Sequence, residues 1–169
     1  MQNRIKLINS IKTEKDLNEL WNNCFEGADN LAHMNAFVPF PLTEKSQLYR
    51  FLTAQSENYK TWLLKRTHEQ DIIGFLIHGD FIPGLPNNIG FNIGLKYTKM
   101  GYGTESLKLL LEMLKLKGIA ETFAHCFENN IASINVLEKC DFQNLGHTGR
   151  IYVGVRELKF GLDIKKNLK

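Results

Sequence analysis

The chain has 169 residues, of which 43% are hydrophobic and 23% charged, a composition that suits one globular domain of ordinary size. Its three cysteines, Cys24, Cys126 and Cys140, have no paired spacing, which argues against a disulfide framework or a structural zinc site and for a reducing compartment. The formal net charge of +3 is small, and no stretch approaches membrane-spanning length. We therefore expect a single cytoplasmic domain over residues 1–169 that binds no metal, no nucleic acid and no membrane.

The first third of the chain predicts one strand and two helices. Residues 4–9 (RIKLIN) alternate apolar and polar side chains, which is typical of a strand. Thr13 can cap the helix that follows, and Thr43, placed after two chain-breaking prolines, can cap the next one. The apolar stripes of the two helices have helical spacing and consist of Leu17, Leu20 and Trp21 in the first and of Leu48, Phe51 and Leu52 in the second.

The rest of the chain alternates strand and helix patterns. Helix patterns begin at Thr104 and at Ile131. Strand patterns occupy residues 60–66, 71–80, 87–97 and 121–127, and a strand-rich tail covers 149–162. Because helices are inserted between strands, the pattern indicates a layered α/β (α+β) fold.

Two glycines, Gly101 and Gly103, stand at the entry to the helix that begins near Thr104. Without a Cβ atom, they allow several N–H groups to point into one hollow, where the helix dipole favours phosphate. The alternative is a strand-to-helix turn in which the glycines satisfy geometry alone. The segment does not match a P-loop, and Ser106 stands where the dinucleotide-binding fingerprint requires a third glycine.

Two longer motifs are more specific than the glycines. The stretches IGFNIGLKYTKMGYGTESLKLLLEMLK (89–115) and ENNIASINVLEKCDF (128–142) resemble the acetyl-CoA-binding half of the GCN5-related N-acetyltransferase (GNAT) family. The resemblance extends over about residues 5–162. It is greatest to the branch that includes the ribosomal-protein alanine and serine N-acetyltransferases. It implies a single-domain fold with a mixed central sheet, one splayed strand and flanking helices.

The resemblance also implies how acetyl-CoA is bound. The backbone around Ile93 would pair with the pantetheine arm as an added strand would. Thr98 stands where the family has a long polar side chain, which removes one contact without affecting the backbone amides. Those amides would hold the CoA pyrophosphate and belong to Lys99, Met100, Gly101, Tyr102, Gly103 and Thr104.

The second motif, Asn130 to Ser133, matches the family pattern Asn-x-x-Ser. Many relatives carry a proton-donating tyrosine farther along this helix, but Leu137 occupies that position here. By resemblance, Ser133 would protonate the departing thiolate and Asn130 would belong to the cofactor site. The structural alternative is that Asn130 or Asn129 merely caps the helix.

The expected reaction is direct attack of an amine on the thioester, which requires a group that removes a proton from the amine. The ionisable residues expected nearest the cleft are His78, Asp80 and Glu128, although each also fits a surface position at a strand end. His125 and Cys126 are adjacent on one strand, so they face opposite sides and cannot form a nucleophile–base pair.

The acceptor is expected to be a primary amine, either a protein N-terminus or a small molecule. Glu26, Asp29 and His33 lie in a predicted loop whose acidic residues would suit a cationic amine. Aromatic side chains that could line an acceptor pocket are Trp21, Phe37, Phe40 and Tyr49. Two other functions remain open, a non-catalytic acyl-CoA binder on the same fold and a basic nucleic-acid-binding module, and the protein could form a homodimer.

Overall fold

The computed structural model describes residues 3–9, 11, 13–36, 41–53, 58–82 and 84–167. Strands and helices alternate along these segments, as the sequence predicts. In chain order they are β1 (Ile5–Asn9), α1 (Glu14–Cys24), α2 (Ala28–Asn35), α3 (Lys45–Thr53), β2 (Tyr59–Arg66), β3 (Ile72–Gly79), β4 (Asn88–Ile93), a 3-10 turn (Leu95–Tyr97), α4 (Tyr102–Leu116), β5 (Glu121–Phe127), α5 (Ile131–Glu138), β6 (Gln143–Tyr152), β7 (Val155–Asp163) and α6 (Ile164–Asn167).

The seven strands of the described segments form one mixed sheet in the order β1-β2-β3-β4-β5-β7-β6. The pairing between β4 and β5 is parallel, and every other neighbouring pair is antiparallel. This arrangement confirms the predicted mixed sheet in a single α/β domain.

Alternation along the strands divides the core into two layers, one on each face of the sheet. Trp62 and Leu64 on β2 face the layer built on α4 and α5, whereas Leu63 between them faces the layer built on α1, α2 and α3. None of the helices in the described segments has both the length and the apolar character that a bilayer crossing requires.

Local hydrogen bonds explain where the first helices begin. Thr13 caps α1 as predicted, because its Oγ1 accepts from the Asp16 amide at 3.1 Å while the Asp16 carboxylate accepts from the Thr13 amide at 3.0 Å. At α3 the predicted cap is wrong in detail. The Gln47 side chain accepts from the amides of Thr43 and Glu44, and the Thr43 side chain accepts from none of the helix amides.

The segment predicted to be a loop around Asp29 and His33 is instead the helix α2. Its N-cap is Gly27, with φ of 90° and no side-chain hydrogen bond to the helix, so the usual sequence signal for a helix start is absent. The strand predicted over 87–97 is also too long. It ends at Ile93, and residues 95–97 form the 3-10 turn, which Tyr97 anchors by donating from its hydroxyl to Asp71 at 2.9 Å.

Candidate active site

The central feature of the site is a fork between β4 and β5. Both strands are described in full, and they pair only at Asn88 with Phe123 and at Ile89 with Ala124. Beyond these pairs the two parallel strands separate, which confirms the predicted splayed strand. The fork opens toward the carboxyl ends of both strands, next to the segment that leads into α4.

One edge of β4 faces this fork with its backbone. The Gly94 amide donates to the Ile73 carbonyl of β3 at 2.9 Å. Because peptide groups alternate in direction along a strand, those of Phe91 and Ile93 point to the other side, toward the fork. The Ile93 carbonyl is already engaged, since His33 Nε2 on α2 lies 2.9 Å from it. The Ile93 amide and the Phe91 peptide groups are therefore the backbone groups that could pair with an extended ligand.

The loop between the 3-10 turn and α4 turns sharply at two residues in left-handed backbone conformation. Lys99 has φ of 60°, and Gly101 has φ of 85° and ψ of −2°. Gly101 is the N-cap of α4 and provides no side-chain hydrogen bond to the helix. The first-turn amides of Tyr102, Gly103 and Thr104 therefore lack an intrahelical acceptor and lie at the positive end of the helix dipole.

Glycine occupies the two positions of this loop for different structural reasons. Gly101 is needed for its positive φ, whereas a Cβ at position 103 would lie 3.2 Å from Val136 Cγ2 on α5. Gly103 thus allows α5 to pack closely against the first turn of α4, and a side chain there would press against Val136. The sequence left open whether these glycines serve ligand access or geometry alone, and the structure adds a packing reason at Gly103.

Arg4 braces the loop from the start of β1, a role for which the sequence gives no signal. Its Nη1 and Nη2 donate to the Met100 carbonyl at 3.3 Å, and its Nε donates to the Glu105 carboxylate at 2.9 Å. Its guanidinium also lies 4.8 Å from the centre of the Tyr102 ring. These contacts turn the Met100 carbonyl toward Arg4 and place a cation beside the loop.

Asn130 is the N-cap of α5, and its side-chain oxygen accepts from the Ser133 amide at 3.1 Å. The helix cap therefore comes from Asn130 rather than Asn129, and the part of Asn130 in the cofactor site stays a prediction. The Ser133 side chain is half-buried, and among the described residues its hydroxyl makes no hydrogen bond.

The stripe of α5 that faces α4 shows where this hydroxyl lies. Val136 approaches Gly103, and Cys140 Sγ lies 3.7 Å from the Thr104 carbonyl oxygen. Ser133 precedes Val136 by three residues, so it lies on the same stripe one turn closer to the fork. Leu137, which occupies the position of the family's tyrosine, is buried in the core and offers no proton.

His78 and Asp80 lie at the end of β3, one strand away from the fork, a position that does not favour either residue as the base. Since β3 is antiparallel to β4, His78 pairs with Ile89 near the start of β4, far from the loop that follows its end. His78 is buried, and desolvation, helped by Lys117 at the end of α4 and opposed by Asp80, lowers its pKa to about 4. The Asp80 carboxylate accepts from an amide of the turn before β4.

Glu128 lies at the correct end, but its carboxylate is occupied. Arg156 donates to it from Nε at 3.0 Å, and His147 Nε2 lies 3.1 Å away. These hydrogen bonds lower the Glu128 pKa to about 2. A carboxylate of such low basicity is a poor proton acceptor.

His125 and Cys126 face opposite sides of the sheet, as predicted. The His125 ring contacts Asn88 on the face opposite α4, whereas Cys126 packs against the core layer of α4 and α5. Burial raises the pKa of the Cys126 thiol to about 12, so the reactive thiolate is negligible at neutral pH.

The aromatic residues named for an acceptor pocket have different surroundings where the structure describes them. Trp21 stacks on Phe25 within the second core layer, with ring centres 5.5 Å apart, and Phe37 and Phe40 lie outside the described residues. Tyr49 lines a cavity of about 340 Å³ between α1 and α3, where β1 ends, at the opposite end of β1 from Arg4. Among the described residues, no group of three or more His, Cys, Asp or Glu side chains could hold a metal ion.

Comparisons with known proteins agree with this geometry. The family model of the acetyltransferase (GNAT) domain matches residues 7–143. A search of curated proteins finds no match.

Three solved structures illustrate the similarity of fold. A GNAT-family acetyltransferase from Bacillus anthracis has a TM-score of 0.75 at 16% identity, covering 95% of this chain and 100% of its own. RimL, the ribosomal L7/L12 alpha-N-protein acetyltransferase, in complex with coenzyme A has a TM-score of 0.78 at 17% identity, covering 96% and 95%. Spermidine N-acetyltransferase from Vibrio cholerae with CoA and spermine has a TM-score of 0.74 at 11% identity, covering 98% of each chain.

The match of the family model over most of the chain confirms the predicted enzyme class, acyltransferase, and the predicted acyl donor, acetyl-CoA. The fork, the uncapped amides at the start of α4 and the adjacent α5 occupy the segments in which the sequence motifs place the acetyl-CoA site. The chain belongs to the GNAT acetyltransferase family.

Proposed function

We propose that this protein transfers the acetyl group of acetyl-CoA to a primary amine by direct attack of the amine on the thioester. The observation that carries the proposal is the continuity of two backbone features. The edge of β4 that faces the fork leads within ten residues into the uncapped first turn of α4. One feature suits an extended amide-containing arm and the other suits a diphosphate.

In this proposal the amides from Lys99 to Thr104 hold the pyrophosphate, and the β4 edge around Ile93 pairs with the pantetheine arm. The Ile93 amide faces the fork and is the donor proposed for the oxyanion of the tetrahedral intermediate. The Ser133 hydroxyl, which has no partner among the described residues, protonates the departing thiolate.

The acceptor is proposed to be a primary amine, on a protein N-terminus or on a small molecule. Support comes from two of the similar structures, which are those of a ribosomal-protein N-acetyltransferase and a spermidine N-acetyltransferase. The ribosomal-protein branch, a cytoplasmic location and a homodimer stay predictions.

The test combines calorimetric titration with acetyl-CoA and a panel of amine acceptors monitored by release of free thiol. We expect saturable binding, and thiol release with at least one acceptor. Binding without release from any acceptor would indicate the non-catalytic acyl-CoA binder instead, and absence of binding would refute the proposal entirely.

Ser133→Ala tests the role of the hydroxyl. Loss of a proton donor should lower kcat by about 100-fold while the Kd for acetyl-CoA stays unchanged. Ser46→Ala, at an exposed position on α3, is the matched control and should change neither constant. Equal turnover in the Ser133→Ala and Ser46→Ala variants would remove Ser133 from the mechanism.

A further inference from the structure

The opposite face of the fork contains a histidine that the sequence motifs do not single out. His125 lies on β5 one residue beyond Ala124, the last residue that pairs with β4. Its Nδ1 lies 2.6 Å from Asn88 Oδ1, so the ring bridges the two strands where they separate. The other ring nitrogen, Nε2, is buried and has no hydrogen-bond partner among the described residues.

The Asn88 contact determines which nitrogen is basic. The Asn88 amide nitrogen donates to the Leu85 carbonyl, which identifies Oδ1 as the atom that faces the ring. Since Oδ1 can only accept, His125 must carry its proton on Nδ1 and present an unprotonated Nε2. A buried acceptor without a partner is costly in a folded protein, so its presence next to the fork needs a reason.

We propose that His125 is the base that removes the proton from the acceptor amine, an inference that rests on the proposed function. The amine nitrogen forms a bond to the thioester carbonyl carbon and passes its proton to Nε2, directly or through one water molecule. The C–S bond then breaks with its electron pair on sulfur, and the thiolate is protonated from the Ser133 side. The fork gives both faces of the sheet access to the same carbonyl, with His125 on one face and Ser133 on the other.

The charged groups around His125 are consistent with a ring that is neutral at pH 7. Burial is the main cause that lowers its pKa from the ordinary value. Glu157 on β7 raises the pKa, whereas Lys159 on β7 and Arg150 on β6 lower it. On β4 the ring contacts Asn88, which carries no charge.

His125→Asn is the first test, because the shorter amide can still donate to Asn88 but cannot take a proton. We expect kcat to fall by about 100-fold or more, with an unchanged Kd for acetyl-CoA. In the His125→Ala variant, added imidazole should restore part of the lost turnover. His78→Asn is the matched control, since His78 is also buried with an unpartnered Nε2 among the described residues but lies on β3, which is not one of the two strands of the fork. It should leave kcat unchanged.

A second measurement does not depend on removing the ring. In the wild type, kcat should fall at acid pH, below the ordinary histidine range, as His125 is protonated. Asn88→Asp places a negative charge beside Nδ1, which should raise the His125 pKa and move this acid limb upward by about 1 pH unit or more. An acid limb of the pH profile that does not shift in Asn88→Asp would overturn the inference, and so would full turnover in His125→Asn. If these variants still bind acetyl-CoA, the proposed function is not affected by either result. A wild-type protein that does not bind acetyl-CoA would refute the proposed function itself.

Discussion

Gly101 allows the most direct test of the cofactor loop. Its φ of 85° and ψ of −2° lie in the left-handed region, where a side chain costs roughly 1–2 kcal/mol. A Cβ at this position would lie 3.4 Å from Arg4 Nη2, which is an ordinary van der Waals distance. The cost of Gly101→Ala is therefore conformational and not steric.

This cost predicts the loss of affinity. A free-energy difference of about 1–2 kcal/mol changes an equilibrium constant by roughly 5- to 30-fold. If the alanine loop relaxes out of the left-handed conformation, acetyl-CoA has to restore it on binding, and its Kd rises by about that factor. Calorimetric titration of the wild type and the Gly101→Ala variant measures the ratio of the two Kd values.

Gly118→Ala separates affinity from stability. Gly118 has φ of 77°, and a Cβ at this position would meet no described atom within 4 Å. It follows the C-terminal end of α4, away from the loop. Both variants should lower Tm by about 2–8 °C, but only Gly101→Ala should weaken acetyl-CoA binding. Equal losses of Tm with the same Kd in both variants would refute the assignment of the loop to the cofactor.

Three further predictions concern packing and the brace on the loop. Gly103→Val should lower the free energy of unfolding by about 1–3 kcal/mol through overpacking against α5. Val136→Ala in the same chain should recover part of this loss. Urea unfolding measures both effects, and strictly additive effects of the two substitutions would contradict the contact. Asp141, with φ of 64° after α5, should gain stability on replacement by glycine, by about 1 kcal/mol, or a Tm increase of about 2–4 °C; an unchanged melting curve would be the contrary result. Arg4→Ala should raise the Kd for acetyl-CoA about threefold to tenfold, because one charge-assisted contact to the loop is lost. The control Arg50→Ala, on the exposed side of α3, should leave the Kd unchanged. Equal Kd values for these two variants would remove Arg4 from the site.

The order of strands and helices could be predicted because most elements carry their own signal. Thr13 with Asp16 marks the start of α1, and the leucine stripe marks α4. The helix α2 was missed since its start, Gly27, has no capping side chain and its eight residues give little periodicity. The end of β4 was misplaced because the 3-10 turn is held by Asp71, which lies 26 residues from Tyr97 in the sequence.

The backbone geometry of the proposed cofactor loop was predictable for a related reason. A loop that presents amides needs unusual backbone angles, and Gly101 shows that requirement in the sequence itself. The brace by Arg4 gave no such signal, because its partner Glu105 is 101 residues away. Contacts of this range depend on the register of β1 against the rest of the sheet and not on any local pattern.

The proposed base also depends on contacts between residues that are far apart in the sequence. A sequence marks where a strand ends but not which strands neighbour it in the sheet, and β3 pairs with β4 on the side away from β5. His78 therefore lies on β3 beside the start of β4, outside the fork, while His125, in the middle of a strand pattern, lies on β5 at the fork. Its partner Asn88 is 37 residues away on a strand that pairs with β5 at two positions only. Because proton transfer needs side chains that separate strands bring together, the proposed base depends on the topology, whereas the proposed amide loop is indicated by the local sequence.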